Sequence, residues 1–495
     1  MITKERKAKP SWELVLYAAL FIGAALAAGL AAGLENRWLA AAVVLGPILL
    51  IGVLILLRYP EVGLLVMVFL ATDLFFINQM VDIRVLGGGF ELRDLFLFFM
   101  WIVVLVRALP TLKLRIAHSP VNGPLLVFMG LALLAGLAAL VFFEVPLFHI
   151  MRELRAIMFY SMFFVILVIV FREAQLRFLL WGLLAIALMV AVVSVAQYVL
   201  GSEFVVTAGR VEAKSFETGG LTRVLLPASF LVNALFIVAT VTLIMQERYR
   251  FFLAASTLVL GLAVVLTWSR NLWLADLVVL SVLFFLLSRR QRARVLLGLL
   301  IVLALVVAGV WGLALLTEAS AEQSLVDNLV LRATEFFQQD DVTQLGTVGG
   351  RLLEAKLALP KILTYPFLGI GPGNSYYDDP YLVWQNPDPE RAAYFPRFIH
   401  IGYLWIPLKM GWFAFAAYLL VIVQMYRLAY STYRHGNTPF QRSLAAGLGL
   451  AYLGMTVSGM VVPIFTTDQY IITLATLMGL LVSLRLITNR PGVEA

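Results

Sequence analysis

The sequence predicts an all-α integral membrane protein of about 14 (12–14) transmembrane helices with one long outward loop. Three observations predict it. Of the 495 residues, 62% are hydrophobic and only 13% are charged, far from a soluble domain. Apolar stretches of about spanning length recur fourteen times, and backbone amides in hydrocarbon must pair internally, so each reads as a helix. Most of the remaining polar sequence lies between the eleventh and twelfth stretches, from Thr317 to Ile399. A chain that confines its extramembrane mass to one loop is expected to work at that face.

In chain order the expected spans are 12–33, 38–57, 62–78, 93–108, 122–143, 156–171 and 178–200, then 228–245, 251–268, 272–288, 295–316, 401–425, 443–463 and 470–487. The first is too long in its apolar core for a cleaved signal peptide, and a second span follows almost at once. With no cysteine in the chain, disulfides and thiolate metal sites are excluded.

The net charge of +8 is a topology signal and not a nucleic-acid footprint. Placing the N-terminus inside puts 21 of the 37 basic residues on the cytoplasmic face, among them Arg58, Arg172, Arg177, Arg289, Arg290, Arg427 and Arg485. The long loop carries 11 acids and 6 bases. Both termini are therefore expected in the cytoplasm and the loop outside.

Two outward segments are long enough to matter, Gly201–Pro227 and Thr317–Ile399. Within the second, Ser324–Phe337 and Gly349–Leu363 show helical periodicity, each expected to lie along the interface. In the latter, Leu352, Leu353, Leu357 and Leu359 oppose Arg351, Glu354, Lys356 and Lys361, and Pro366 stops the helix. A turn-rich Gly369-Ile-Gly-Pro-Gly-Asn374 follows, then an aromatic, acidic, proline-punctuated stretch from Tyr376 to Phe395.

Outward arginines at helix ends are costly unless they snorkel or pair, so each is a candidate site residue. Arg270 stands in Thr267-Trp-Ser-Arg270-Asn, a connection of two or three residues that holds it at the surface. The competing reading is a headgroup anchor. Arg155, at the start of the sixth span, and Arg223, in Gly219-Gly-Leu-Thr-Arg-Val-Leu-Leu-Pro227, are weaker instances. Arg351, opening its helix after Gly349-Gly350, would sit beside N-terminal amides that favour anions. The guanidinium fork stays charged and binds two oxygens at once, so several of these converging would cage a diphosphate.

His400 ends the loop in Arg397-Phe-Ile-His400, where a neutral imidazole could act as a base; a structural histidine is the bland alternative. For His149 the bland reading prevails. Asp388-Pro-Glu390 mimics a metal-binding acidic group, but proline-rich acidic loops produce that pattern by chance, and no metal site is expected. Asp73, Asp276 and Lys409 read as buried ion pairs or helix-end polar groups. Tyr376, Tyr377, Tyr381, Trp384, Tyr394 and Phe395 could stack on sugar rings or form an interfacial belt.

Three blocks in the C-terminal half resemble the O-antigen ligase / O-antigen polymerase family of bacterial membrane glycosyltransferases. They are Trp268-Ser-Arg-Asn-Leu-Trp-Leu-Ala-Asp276; Gly349-Gly-Arg-Leu-Leu-Glu-Ala-Lys356 running into Pro366-Phe-Leu-Gly-Ile-Gly-Pro-Gly-Asn374; and His400-Ile-Gly-Tyr-Leu-Trp-Ile-Pro-Leu-Lys-Met-Gly411. Isoleucine after His400, where the family has asparagine, and Lys409-Met-Gly411 in place of an acidic run lean towards polymerase-like members. The resemblance covers 251–495 with its loop 317–399, while 1–250 matches only as an N-terminal bundle of spans.

The resemblance implies a GT-C-like, metal-independent enzyme without cofactor in the bacterial cytoplasmic membrane. It would move a glycan from an undecaprenyl-diphosphate carrier onto a glycan or lipid-core acceptor hydroxyl, with inversion. Arg270, Arg351, Arg223 and Arg155 would bind the diphosphate, with Arg270 and His400 catalytic. Its neighbours would be the bilayer and other polysaccharide-assembly proteins. The rival class is a polytopic transporter or flippase of lipid-linked glycans. Transporters often show related halves around a midplane site, and neither half-repeat nor broken helix is legible here.

Overall fold

The computed structural model describes residues 51–76, 82–85, 88–108, 118–200, 210–212, 223–246, 249–293, 295, 347–377 and 397–489. The expected spans 12–33 and 295–316, most of 38–57, and the expected helix Ser324–Phe337 lie outside the described residues.

Helices dominate, as the apolar stretches require. In chain order they are α1 (Pro60–Ala71), α2 (Leu92–Ala108), α3 (Asn122–Phe142), α4 (Leu147–Met158), α5 (Met162–Ile169), α6 (Glu173–Leu200), α7 (Ser229–Met245), α8 (Arg250–Leu266) and α9 (Arg270–Leu286). Beyond the long loop come α10 (Thr347–Thr364), α11 (Gly402–His435), α12 (Pro439–Ser458) and α13 (Asp468–Thr488). The all-α expectation agrees with this helical content, to which two short hairpins are added. Two antiparallel hairpins, β1 (Asp82–Val85) with β2 (Gly88–Glu91) and β3 (Arg210–Glu212) with β4 (Arg223–Leu225), stand between helices. They are too short to show a period-two pattern.

Four described helices are long and apolar enough to cross a membrane: Asn122–Phe142, Glu173–Tyr198, Gly402–His435 and Asp468–Thr488. The chain is therefore an integral membrane protein. A bent pair, Ile51–Arg58 with Pro60–Ala71, turns by 113° and makes a fifth candidate. The sequence reading treated these as parts of two separate spans. Pro60 has no N–H to continue the preceding helix and is well placed to open the next, so the chain turns there. The expected sixth span is likewise composite: α4, a 3₁₀ turn at Phe159–Ser161, and then the eight residues of α5.

Burial sorts the helices. α13 has 83% of its apolar window inside the protein, whereas α3 has 39% and presents Leu133, Leu137 and Phe142 outward. A helix apolar on all sides belongs at the centre of a bundle or against lipid, and these two take those places. Close approach is set by small residues: a side chain at Gly479 of α13 would run into Ile166 of α5, and one at Gly136 of α3 into Leu154 of α4. At the centre the Tyr160 and Tyr418 hydroxyls are 3.0 Å apart, so each buried phenol has its partner, and Phe128 packs on both rings.

Cross-helix contacts orient the bundle. Tyr433 near the end of α11 donates to Leu286 O at the end of α9. Gln246, just past α7, pairs with Ser443 near the start of α12. The first residues of α7, α9 and α11 and the last of α12 therefore share one end.

Candidate active site

At that end, Ile401 leads the chain into α11 with His400 just before it. The His400 Nδ1 lies 2.5 Å from Glu354 Oε1, and the His400 backbone N–H donates to Glu354 Oε2 at 2.9 Å. An ionised carboxylate only accepts, so in a neutral imidazole this contact favours the tautomer with the proton on Nδ1 and Nε2 as the acceptor. Phe398 stands edge-on to the imidazole with centroids 4.6 Å apart, and Phe398 O accepts from the buried Tyr376 hydroxyl at 3.2 Å. The ring is held on one side by a carboxylate and on another by an aromatic.

Glu354 reaches His400 because α10 carries it one turn beyond Arg351. Its carboxylate is 3.4 Å from Arg351 Nη1, and Arg351 Nε donates to Val461 O just past α12. α10 begins at Thr347, before the glycines, so Arg351 lies one turn inside the helix. Burial pushes its guanidinium below its ordinary pKa, and Glu354 acts in the opposite sense. Residues 351, 354 and 400 thus form one chain of contacts.

Arg270 is the first residue of α9 after the three-residue connection Thr267–Ser269, in line with the expected tight turn. Trp268 has φ 48° and packs on Trp273 at 5.9 Å, which fixes the turn. Arg223 opens β4, whose chain leads into the start of α7. Arg270, Arg223, Arg351 and His400 therefore gather at one end of the bundle. Arg155 shares that end but is committed to carboxylates: Asp94 at 3.3 Å, Glu91 at 3.3 Å and Asp468 at 3.2 Å. Arg93 bridges Glu91 and Asp468 in the same cluster. This network ties the β1–β2 hairpin and α2 to α4 and α13.

The glycine-rich stretch is a packing device. Ile370 N–H donates to Leu408 O and Trp412 N–H to Pro366 O, each at 2.8 Å, so the loop pairs with a broken turn of α11. The break is at Gly411, with φ 79° and ψ 177°, where a Cβ would overlap the Phe367 carbonyl. Gly373 (φ 76°) lies so close beneath the His149–Ile150 backbone that a Cβ there would clash. Gly411→Ala is expected to cost about 1–3 kcal/mol in backbone strain before any clash, read as a lower unfolding temperature.

Lys409 resolves into a fully buried ion pair, its Nζ 3.4 Å from Glu153 of α4 and 2.5 Å from Asn374 O. Arg397 Nε donates to Gly373 O at 2.9 Å, so the same loop steadies the segment that delivers His400. Lys409→Met alone is expected to destabilise by about 3–5 kcal/mol, because it leaves the Glu153 charge buried and unpaired. Lys409→Met with Glu153→Gln should recover much of that in a thermal melt. A double variant no better than the single would refute the pairing.

Two expectations change. Tyr376 and Tyr377 are buried and pack edge to face at 4.9 Å, so they are core residues and not a sugar platform. The structure also adds Glu354, which the sequence showed only as a polar position on an amphipathic helix. The remaining named aromatics, together with Asp388 and Glu390, lie outside the described residues. No group of three or more metal-ligating side chains occurs among the described residues. His149 packs under Gly373.

Residues 253–419 match the model of a protein family described as O-antigen ligase. The match takes in Arg270, Arg351, Glu354, His400 and Gly411 and leaves out Arg155 and Arg223. Over this region, about a third of its length, the chain is similar to the O-antigen ligase family. The three family-like blocks are thus the parts that build the His400 end: the Arg270 turn, the α10 helix with its glycine loop, and the start of α11. No curated protein matches the chain.

Proposed function

We propose that the protein is a membrane glycosyltransferase that moves a glycan from an undecaprenyl-diphosphate carrier to an acceptor hydroxyl at the outer face of the bacterial cytoplasmic membrane, with inversion. The observation that carries this reading is the His400–Glu354 pair beside Arg351 within the O-antigen ligase region. His400 Nε2 takes the proton as the acceptor oxygen attacks the anomeric carbon, and Glu354 steadies the resulting imidazolium. The bond to the diphosphate breaks on the opposite face, and negative charge grows on the leaving oxygen. Arg270 and Arg351, aided by Arg223, would stabilise that charge, and fixed donors toward developing charge are commonly the largest catalytic term. Such a clamp supplies the role a divalent cation would otherwise take. The mechanism is the same for a polymerase, whose acceptor is a glycan, and a ligase, whose acceptor is a lipid core.

The activity test is direct: purified protein, lipid-linked glycan and candidate acceptors should yield transferred product and free lipid diphosphate. The reading also requires the His400 end to face outward. Reporter fusions after Arg292 should report the cytoplasm and fusions near Asp340 the outer side. The same side for both would end this account.

A further inference from the structure

At the end of the bundle opposite His400, α11, α13 and the segment entering α3 enclose a cavity of about 350 Å³. Arg427 of α11 and Arg485 in the last turn of α13 line it, with His118, Ser431 and Asn489. Among the described residues no carboxylate does. Neither arginine forms an ion pair among the described residues. Arg485 Nη1 is buried there and has no hydrogen-bond partner among the described residues. An arginine in a final helical turn often bonds the last carbonyls of its own helix, but this nitrogen does not. Two guanidinia lining one small pocket, Arg427 exposed and Arg485 half-buried, make it electrostatically favourable to an anion.

We propose that this cavity holds the phosphate of an anionic phospholipid. Phosphate chemistry suits a two-armed guanidinium site. A lipid source is favoured over a free ion because the cavity lies between the ends of two membrane-crossing helices, and its wall continues into Val482 and Leu486, where an acyl chain would run. Basic pockets between transmembrane helices, on the side where basic residues concentrate, take lipid headgroups in this way. The bound lipid would brace α11 and α13, the helices whose other ends carry His400 and Asp468.

Delipidated protein in neutral detergent should bind phosphatidylglycerol but not phosphatidylcholine, seen as added mass in native mass spectrometry and as a raised unfolding temperature. The double variant R427Q/R485Q should bind about 30-fold more weakly, and each single variant about fivefold. R427K/R485K, which keeps the charge but loses the two-pronged geometry, should bind between the parent protein and the glutamine variant. Without lipid, the glutamine variant should unfold no lower than the parent protein, which separates lost binding from lost folding. Equal binding of phosphatidylglycerol by parent and glutamine variant would overturn the proposal. Inorganic phosphate giving the full stabilisation at similar affinity would also overturn it, by assigning the site to a free anion.

Discussion

Replacing His400 with alanine is expected to lower glycan transfer by about 10²–10⁴-fold while leaving donor binding nearly unchanged. The imidazole is presented as a base: Nδ1 is turned to Glu354 and Nε2 is left to accept. The lipid diphosphate, by contrast, is assigned to the arginines. Glu354→Gln tests the arrangement separately. It keeps the size and a hydrogen-bond acceptor but removes the charge that steadies an imidazolium, so kcat should fall while KM for the donor holds. Glu354→Asp should recover part of the activity if position as well as charge matters, since its carboxylate is one methylene short. His149→Ala is the control on the other histidine at this end, and transfer should stay close to the parent value. A donor KM that rises as steeply as kcat falls in His400→Ala would place the imidazole on the diphosphate and not on the acceptor.

The second large effect concerns the arginines. Arg270→Ala, and separately Arg351→Ala, should nearly abolish transfer, with the protein still present in the membrane at parental level. Lysine at 270 should rescue only partly, because it keeps a charge but loses the two-pronged geometry. Lysine at 351 should do worse, since Arg351 must also reach Glu354 and Val461 O. Arg155→Ala should instead show mainly as lost stability, because its guanidinium holds Glu91, Asp94 and Asp468 together. Transfer is expected to survive EDTA. Loss with EDTA and restoration by Mg²⁺ or Mn²⁺ would remove the arginine-only clamp and turn attention to Asp388 and Glu390. Full activity of Arg270→Ala would remove that residue from the mechanism.

Much of this molecule is legible along one dimension. Membrane helices are written in uninterrupted apolar length, because hydrocarbon leaves the backbone no partner but itself. The expected spans therefore overlie most of the described helices. Arg270 and His400 could be singled out for a similarly local reason: a charged or titratable group at the end of an apolar helix is costly wherever the chain goes next. Tertiary structure decided the rest, through contacts between residues far apart in sequence. Glu354 became a partner of His400 only because α10 folds back onto the entrance of α11, 46 positions later. Arg155 is held by acids on β2, α2 and α13, and no local pattern around it announces them. Lys409, an apparent anomaly inside a span, is answered by Glu153 across 256 positions. Composition and periodicity record what each segment must do with water and lipid. Which charges meet depends on how the segments pack, and that information resides in the bundle as a whole.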